Sequence, residues 1–212
     1  ALGELKTLVF DEADRMLDMG FADELNAILE FLPRDRQTLL FSATYPDGIA
    51  AISKRVQRDP VIVDVTDDEQ PAHIEQRWCS VTRENRNPEL VRALRAWGGA
   101  LNLVFCNTKV DCAEVADYLN SEKVVAVALH GDLDQGERNE VLVRFANRSA
   151  VVLVATDVAA RGLDVQDLDA VFNYELPRQP EVYIHRIGRT GRAGKQGVAV
   201  SLVEQREEWR WQ

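Results

Sequence analysis

Cysteine is scarce in this chain: Cys79, Cys106 and Cys112 are three in number, with no C-x-x-C spacing. An odd set without paired spacing argues against a disulfide framework and against a metal site. Cys106 lies inside the apolar run "LNLVFCNT" and reads as a buried free thiol. Long apolar runs are missing too. No stretch approaches the roughly 18 consecutive apolar residues of a membrane span, and the first residues show no basic-then-apolar leader. The expectation is a cytoplasmic protein. Basic charge is the third shortage, with 25 Lys and Arg against 35 Asp and Glu, a net charge of -10 and a pI of about 4.9. A surface that is basic all over is therefore excluded, and any contact with RNA or DNA must be local. Internal repeats of solenoid period and low-complexity tracts are also absent.

What is present is alternation. The 212 residues, 46% of them hydrophobic, can bury a core of one large domain or two small ones. Strand-like runs "LKTLVF" (5–10), "QTLLFSA" (37–43) and "VIVDV" (61–65) are separated by "DELNAILEFL" and "DGIAAISKRV", whose apolar residues recur at helical spacing. A β-α-β-α-β order predicts a parallel sheet. The acidic "TDDEQPAH" (66–73), with one Pro and no apolar residue larger than Ala, reads as a linker. A second series follows, with strands "EQRWCSV", "LNLVFC", "VVAVALH", "AVVLVAT", "DAVFNY" and "GVAVSLV" and helices that include "KVDCAEVADYLNSE" and "DQGERNEVLVRFAN". Near-continuous apolar strands are what a sheet covered on both faces requires.

Polar residues gather where these strands end. "DEAD" (11–14) follows "TLVF", and in open α/β sheets ligands sit outside the carboxyl ends of the strands. One acid there can hold a hydrated divalent cation while its neighbour positions or deprotonates a water, the division of labour that phosphoryl transfer uses. The alternative is structural: Asp11 and Asp14 cap the helix that follows. "FSATYP" (41–46) puts the hydroxyls of Ser42 and Thr44 at a second strand end. "VATDVAARGLD" (154–164) brings Thr156 and Asp157 to the start of a turn or helix, and Gly162 permits a close backbone approach. In "HRIGRTGRAG" (185–194), Arg186, Arg189 and Arg192 recur every three residues, and the forks of Arg189 and Arg192 share one side of a turn, able to reach a single polyphosphate.

Together, "DEAD", "SAT", "LVFCNT" (103–108), "HGDLDQGER" (130–138), "ATDVAARGLD" and "HRIGRTGR" resemble, in order and spacing, the DEAD-box ATP-dependent RNA helicases. The resemblance covers nearly the whole chain, and "VQRDP" and "LVRFANRSA" resemble the bacterial DbpA-type subgroup. It implies RecA-like parallel sheets covered by helices, the P-loop NTPase-type helicase core, with residues 1–65 as the C-terminal half of a first domain, 74–205 as a complete second domain and 206–212 as a tail. It implies that Asp11 binds Mg²⁺ through water, that Glu12 is the base or water-positioner, and that Asp14 hydrogen-bonds towards Ser42 and Thr44. Asp164 would contact the ATP ribose, and Arg189 and Arg192 would reach its phosphates as arginine fingers, a device that contributes on the order of 10³ to 10⁵ in rate. Phe105 would pack beneath the arginine turn; as a strand residue it would equally fill the core. Single-stranded RNA would lie along Gly131, Gln135, Arg138, Thr156 and Gly162, held by sugar and phosphate and sensitive to salt. Asp134 and Glu137 also form a capping-box pattern at that helix start.

One family feature is missing: the chain has no G-x-x-x-x-G-K-[ST], since "GRAGKQG" follows an arginine turn and precedes a strand. The phosphate loop, the adenine-reading segment and the early RNA-binding motifs would precede residue 1. The expectations are therefore no appreciable ATP turnover by this chain alone, and sheet edge and apolar surface left uncovered within residues 1–65. Two other classes stand beside the helicase reading: a non-hydrolysing RNA-binding or regulatory module, and a DNA helicase of the wider superfamily. The intact Glu12, "SAT" and Arg189/Arg192 set favours an ATPase over the module, and a preference for the 2′-hydroxyl separates RNA from DNA.

Overall fold

The computed structural model describes residues 2–18, 20–42, 44–45, 47–64, 74–160, 168–191 and 195–210. The expected linker over 66–73, Gly162, Asp164 and Arg192 lie outside them. The chain divides into two compact units, residues 1–67 and 68–212.

In the first unit, β1 (Thr7–Phe10) and β2 (Gln37–Leu40) pair in parallel, Phe10 opposite Leu40. Helices α1 (Ala13–Asp18), α2 (Ala22–Glu30) and α3 (Asp47–Val56) supply its core. Alternation along β1 points Leu8 and Phe10 into that core beside Leu25, Ile49 and Val56, while Val9 faces out and is 52% exposed. The expected third strand, "VIVDV", does not form: residues 61–64 have no regular structure. A strand needs a neighbour to take its N–H and C=O groups. Instead, a cavity of about 930 Å³ is lined both by β2 and by Val61 and Val63. Val61, Ile62 and Val63 are 90%, 74% and 78% exposed, so apolar surface is left uncovered here.

The second unit is a six-stranded, all-parallel sheet in the order β3-β8-β7-β4-β6-β5. Its strands are β3 (Ile74–Val81), β4 (Asn102–Cys106), β5 (Ala126–Leu129), β6 (Val152–Thr156), β7 (Ala170–Asn173) and β8 (Gly197–Glu204). Alternate residues feed two cores. Val104, Cys106, Val152, Val154 and Phe172 meet α4 (Arg86–Trp97) and α5 (Lys109–Ser121) on one face. Leu103, Phe105, Leu153, Ala155 and Val171 meet Phe145 of α6 (Gln135–Ala146) on the other. That two-sided burial is why β4, β6 and β7 read as unbroken apolar runs. Helices α4 and α7 (Pro180–Ile187) were not predicted; Pro180 opens α7 in the first turn, where a missing N–H is harmless. Cys106 and Cys112 are fully buried free thiols, and burial pushes Cys106 well above the ordinary thiol range. After β8 the chain closes in a short 3₁₀ helix, Gln205–Arg210.

No helix among the described residues is long and apolar enough to cross a membrane. In native-state hydrogen exchange, the amides of β1 and β2 should be less protected than those of β4, β6 and β7, because a two-stranded ladder with one buried face opens more easily than a sheet buried on both. Equal protection in the two units would refute this.

Candidate functional site

In the first unit, the ladder runs past the ends of β1 and β2: Phe41 N–H donates to the Phe10 carbonyl at 2.8 Å and Ala13 N–H to the Phe41 carbonyl at 3.0 Å. This brings Asp14 to the "SAT" segment. Asp14 is 4% exposed, and its Oδ2 accepts the Thr44 amide at 2.9 Å and the Thr44 hydroxyl at 2.8 Å. The Asp14 amide donates to Ser42 Oγ at 3.2 Å, and the Ser42 hydroxyl donates to the Thr44 carbonyl at 2.7 Å. The Asp14 carboxylate thus joins two loops and does not act as the cap of α1.

Asp11 and Glu12 sit on the bend between β1 and α1. Asp11 is exposed, and its Oδ1 accepts the Glu12 amide at 3.0 Å. Glu12 has φ +48°, in the left-handed region that non-glycine residues adopt at a cost on the order of 1 kcal/mol. Nothing in the sequence signals that strain. No group of three or more His, Cys, Asp or Glu side chains suited to a metal occurs among the described residues. A single exposed carboxylate still fits Mg²⁺, which keeps several of its waters and takes one or two protein carboxylates along with phosphate.

In the second unit all strands run the same way, so Asn107, His130, Asp157 and Tyr174 follow their strands at one edge. Arg186 of α7, 1% exposed, reaches into that edge. Its Nε and Nη2 donate to the two carboxylate oxygens of Asp157 at 2.8 and 2.7 Å. Its Nη1 donates to Asn173 Oδ1 at 3.2 Å and the Glu175 carbonyl at 2.8 Å, and Nη2 also to Asn107 Oδ1 at 2.8 Å. All five guanidinium N–H donors are thereby used. The plane lies over the Phe105 ring at 5.0 Å, and Phe105 also fills the core. Asp157 is thus a two-oxygen partner of this arginine. Three residues on, the half-buried Arg189 is held through its amide to the Arg186 carbonyl at 3.2 Å. Gly191 follows at φ +71°, a conformation glycine adopts freely.

A second cluster adjoins the first. Arg86 pairs with Glu204 and with Glu175 and lies over the Tyr174 ring at 5.3 Å, while the Tyr174 hydroxyl donates to Asn87 Oδ1 at 2.8 Å. Burial pushes the Tyr174 phenol up to about 12. Sequence reasoning missed Asn107, Asn173, Glu175 and Arg86. The available signal was polar residues directly after apolar strands, facing an arginine on the next helix.

Of the expected RNA-facing residues, Gly131, Gln135, Arg138 and Thr156 are described, and they follow strand ends or start α6 on the same side of the sheet. Asp134 and Glu137 form the capping box at the start of α6, with both bonds at 2.9 Å. Gln135 is exposed and donates to Asn139, whereas Arg138 donates from Nη2 to the Ala159 carbonyl at 2.7 Å. Thr156 Oγ1 accepts the Ala159 amide at 3.3 Å. Gly131 is exposed with an open flank: a Cβ there would meet nothing within 4 Å. Beside it, Lys109 donates to Asp132 at 2.8 Å and holds that carboxyl below its usual range.

With its fold and these motifs in place, the chain belongs to the DEAD-box helicase family. Residues 1–52 match the family described as DEAD/DEAH box helicase and residues 87–194 the helicase conserved C-terminal domain. The chain is 52% identical over 210 residues to the ATP-dependent RNA helicase DbpA of Escherichia coli, covering 99% of this chain and 46% of that protein. It is 46% identical to the ATP-dependent RNA helicase CshA of Listeria monocytogenes, covering 97% of this chain and 40% of that one. Among solved structures, S. cerevisiae Dbp5 bound to RNA and ADP BeF3 matches with a TM-score of 0.83 at 32% identity, over 99% of this chain and 56% of that one. A DEAD box protein from the hyperthermophile Methanococcus jannaschii matches with a TM-score of 0.62 at 41% identity, over 100% and 57%. The fold is therefore that of RecA-like helicase domains, a partial first and a second. The chain spans less than half the length of the curated relatives it matches.

Replacing Arg186 by Gln should cost roughly 2 kcal/mol or more in urea unfolding, since it leaves the buried Asn173 amide oxygen and the partly exposed Asp157 carboxylate without their donor; a loss below about 1 kcal/mol would refute the central role given to this arginine. A raised phenol pKa means that folding stabilises neutral Tyr174. That contribution is complete below the ordinary tyrosine range near 10 and is lost as pH climbs towards about 12. Stability should fall across that window and fall less in Tyr174→Phe; ultraviolet titration showing the folded phenol ionising at the ordinary pH would overturn the assignment.

Proposed function

We propose that this chain is the nucleotide-hydrolysing edge and second domain of an ATP-dependent RNA helicase that couples ATP binding and hydrolysis to local RNA duplex unwinding. The observation that carries the reading is the lock between Asp14 and Thr44, which leaves Asp11 and Glu12 on the bend at the strand end while tying them to the neighbouring "SAT" loop.

Residues 1–65 are read as the back half of the first domain, 66–73 as a linker, 74–205 as the second domain and 206–212 as its tail. In this reading Glu12 draws the proton from, or orients, the attacking water, and Asp14 passes the state of that site to Ser42 and Thr44. Arg189 and Arg192 meet the negative charge that develops on the transferring phosphoryl group, and Asp164 takes the ribose. Asp11 would hold Mg²⁺ through water, and the ion when bound neutralises phosphate charge. RNA is taken by its backbone on Gly131, Gln135, Thr156 and Gly162, with Arg138 on the same side. Gly131 supports this reading: its φ is not in the left-handed region and no neighbour crowds it, so its open flank leaves room for a close backbone approach. A few donors at one edge meet the demand that an acidic protein bind RNA locally.

The test is steady-state ATP hydrolysis with and without single-stranded RNA, with Glu12→Gln as the blank. This chain alone should show no rate above the blank, lacking the phosphate loop. The same residues joined behind the N-terminal half of the E. coli relative should show an RNA-stimulated rate that Glu12→Gln abolishes. A joined protein that binds RNA but never hydrolyses ATP would sink the proposal, as would an RNA-dependent rate from the chain alone.

A further inference from the structure

We propose that Arg138 is a positioning residue, aiming the Thr156 hydroxyl at RNA phosphate through Ala159 instead of meeting the phosphate itself. The inference deepens the RNA-binding reading above and rests on it. Its basis is a chain of two bonds through one buried residue. Arg138 Nη2 donates to the Ala159 carbonyl at 2.7 Å, and the Ala159 amide donates to Thr156 Oγ1 at 3.3 Å. Ala159 is 3% exposed, and the Ala160 amide closes the same turn on the Thr156 carbonyl at 2.9 Å.

The chemistry follows from the donor count of a hydroxyl. Thr156 Oγ1 has two lone pairs and one O–H. With one lone pair occupied by an incoming N–H, the hydroxyl acts as acceptor towards the protein, and its own proton remains to be donated. Among the described residues no acceptor takes it. A half-buried O–H donor at the carboxyl end of β6, beside the exposed Gly131 edge, suits an anionic oxygen that brings no sequence information. The orientation depends on the turn being held, and the only side chain from another element that holds it among the described residues is Arg138, at the first turn of α6. The capping box at Asp134 and Glu137 fixes where that turn begins, so the helix start transmits its position to β6 through one guanidinium.

The experiment uses the full 212-residue chain, with a fluorescently labelled oligouridylate as probe, titrated at several salt concentrations. The variants are Arg138→Gln, Thr156→Val and the double substitution. Each single change should weaken binding about tenfold, and the double should weaken it no further than Thr156→Val alone, because the two act as one unit. The slope of log affinity against log salt should be the same for Arg138→Gln as for the unaltered chain. A slope reduced by about one, with losses that multiply in the double variant, is the signature of a direct phosphate contact and would overturn the proposal. A second readout needs no RNA: hydrogen exchange of the Ala159 and Ala160 amides should quicken in Arg138→Gln while Leu153 and Val154 of β6 stay protected. Unchanged exchange at Ala159 overturns the relay even if affinity falls. Failure of the unaltered chain to bind the probe would remove the RNA reading, and the exchange result would still decide whether Arg138 holds the turn.

Discussion

The second unit depends on one buried cation. Arg186 brings a full positive charge to a site that is 1% exposed, and charge in such a place is tolerated only when its geometry and hydrogen bonds are complete. They are: Asp157 takes two donors side by side, and Asn107, Asn173 and the Glu175 carbonyl take the other three. Those partners follow or end β4, β6 and β7, so a single side chain fixes the relative heights of three strand ends and of α7. Such an ion pair adds little net stability over a well-packed apolar alternative. Its effect is to make any other register costly, since a shift of α7 by one residue would strand the charge. Arg189 inherits its place from this constraint.

The first unit has a smaller version of the same device. Asp14, also buried, joins the turn after β1 to the loop after β2 through Thr44. Both units therefore use a buried charged group at the carboxyl end of a parallel sheet to connect loops that the apolar core does not reach. The difference lies beneath: six strands with two covered faces in one unit, two strands with one in the other.

What was legible in the sequence was whatever a local pattern encodes. The unbroken apolar character of "LVFC" and "VLVAT" gave β4 and β6, and the Asp134/Glu137 spacing gave the start of α6. The expected "VIVDV" strand failed because strand formation is a property of pairs: its composition is right, and the partner edge is not beside it. Helix α4 was hidden by charge, since only Leu90, Val91, Ala93 and Leu94 among its residues turn a compact apolar stripe inwards. At the site, the acids, hydroxyls and arginines could be named from motif order, but which arginine is buried could not. Arg186 and Arg189 look alike in "HRIGR", and only the fold turns one inwards. Arg138 is a surface cation by sequence, while its carbonyl partner 21 residues away is set by how α6 lies against β6.

The left-handed backbone at Glu12 sets two demands against each other. Glycine, or to a lesser degree asparagine, would relax φ +48° and firm up the bend, yet would delete the carboxylate. A lineage selected only for thermal robustness would drift towards such a replacement at position 12. Under the hydrolytic role proposed for Glu12, the backbone cost at this position serves the chemistry and not the scaffold.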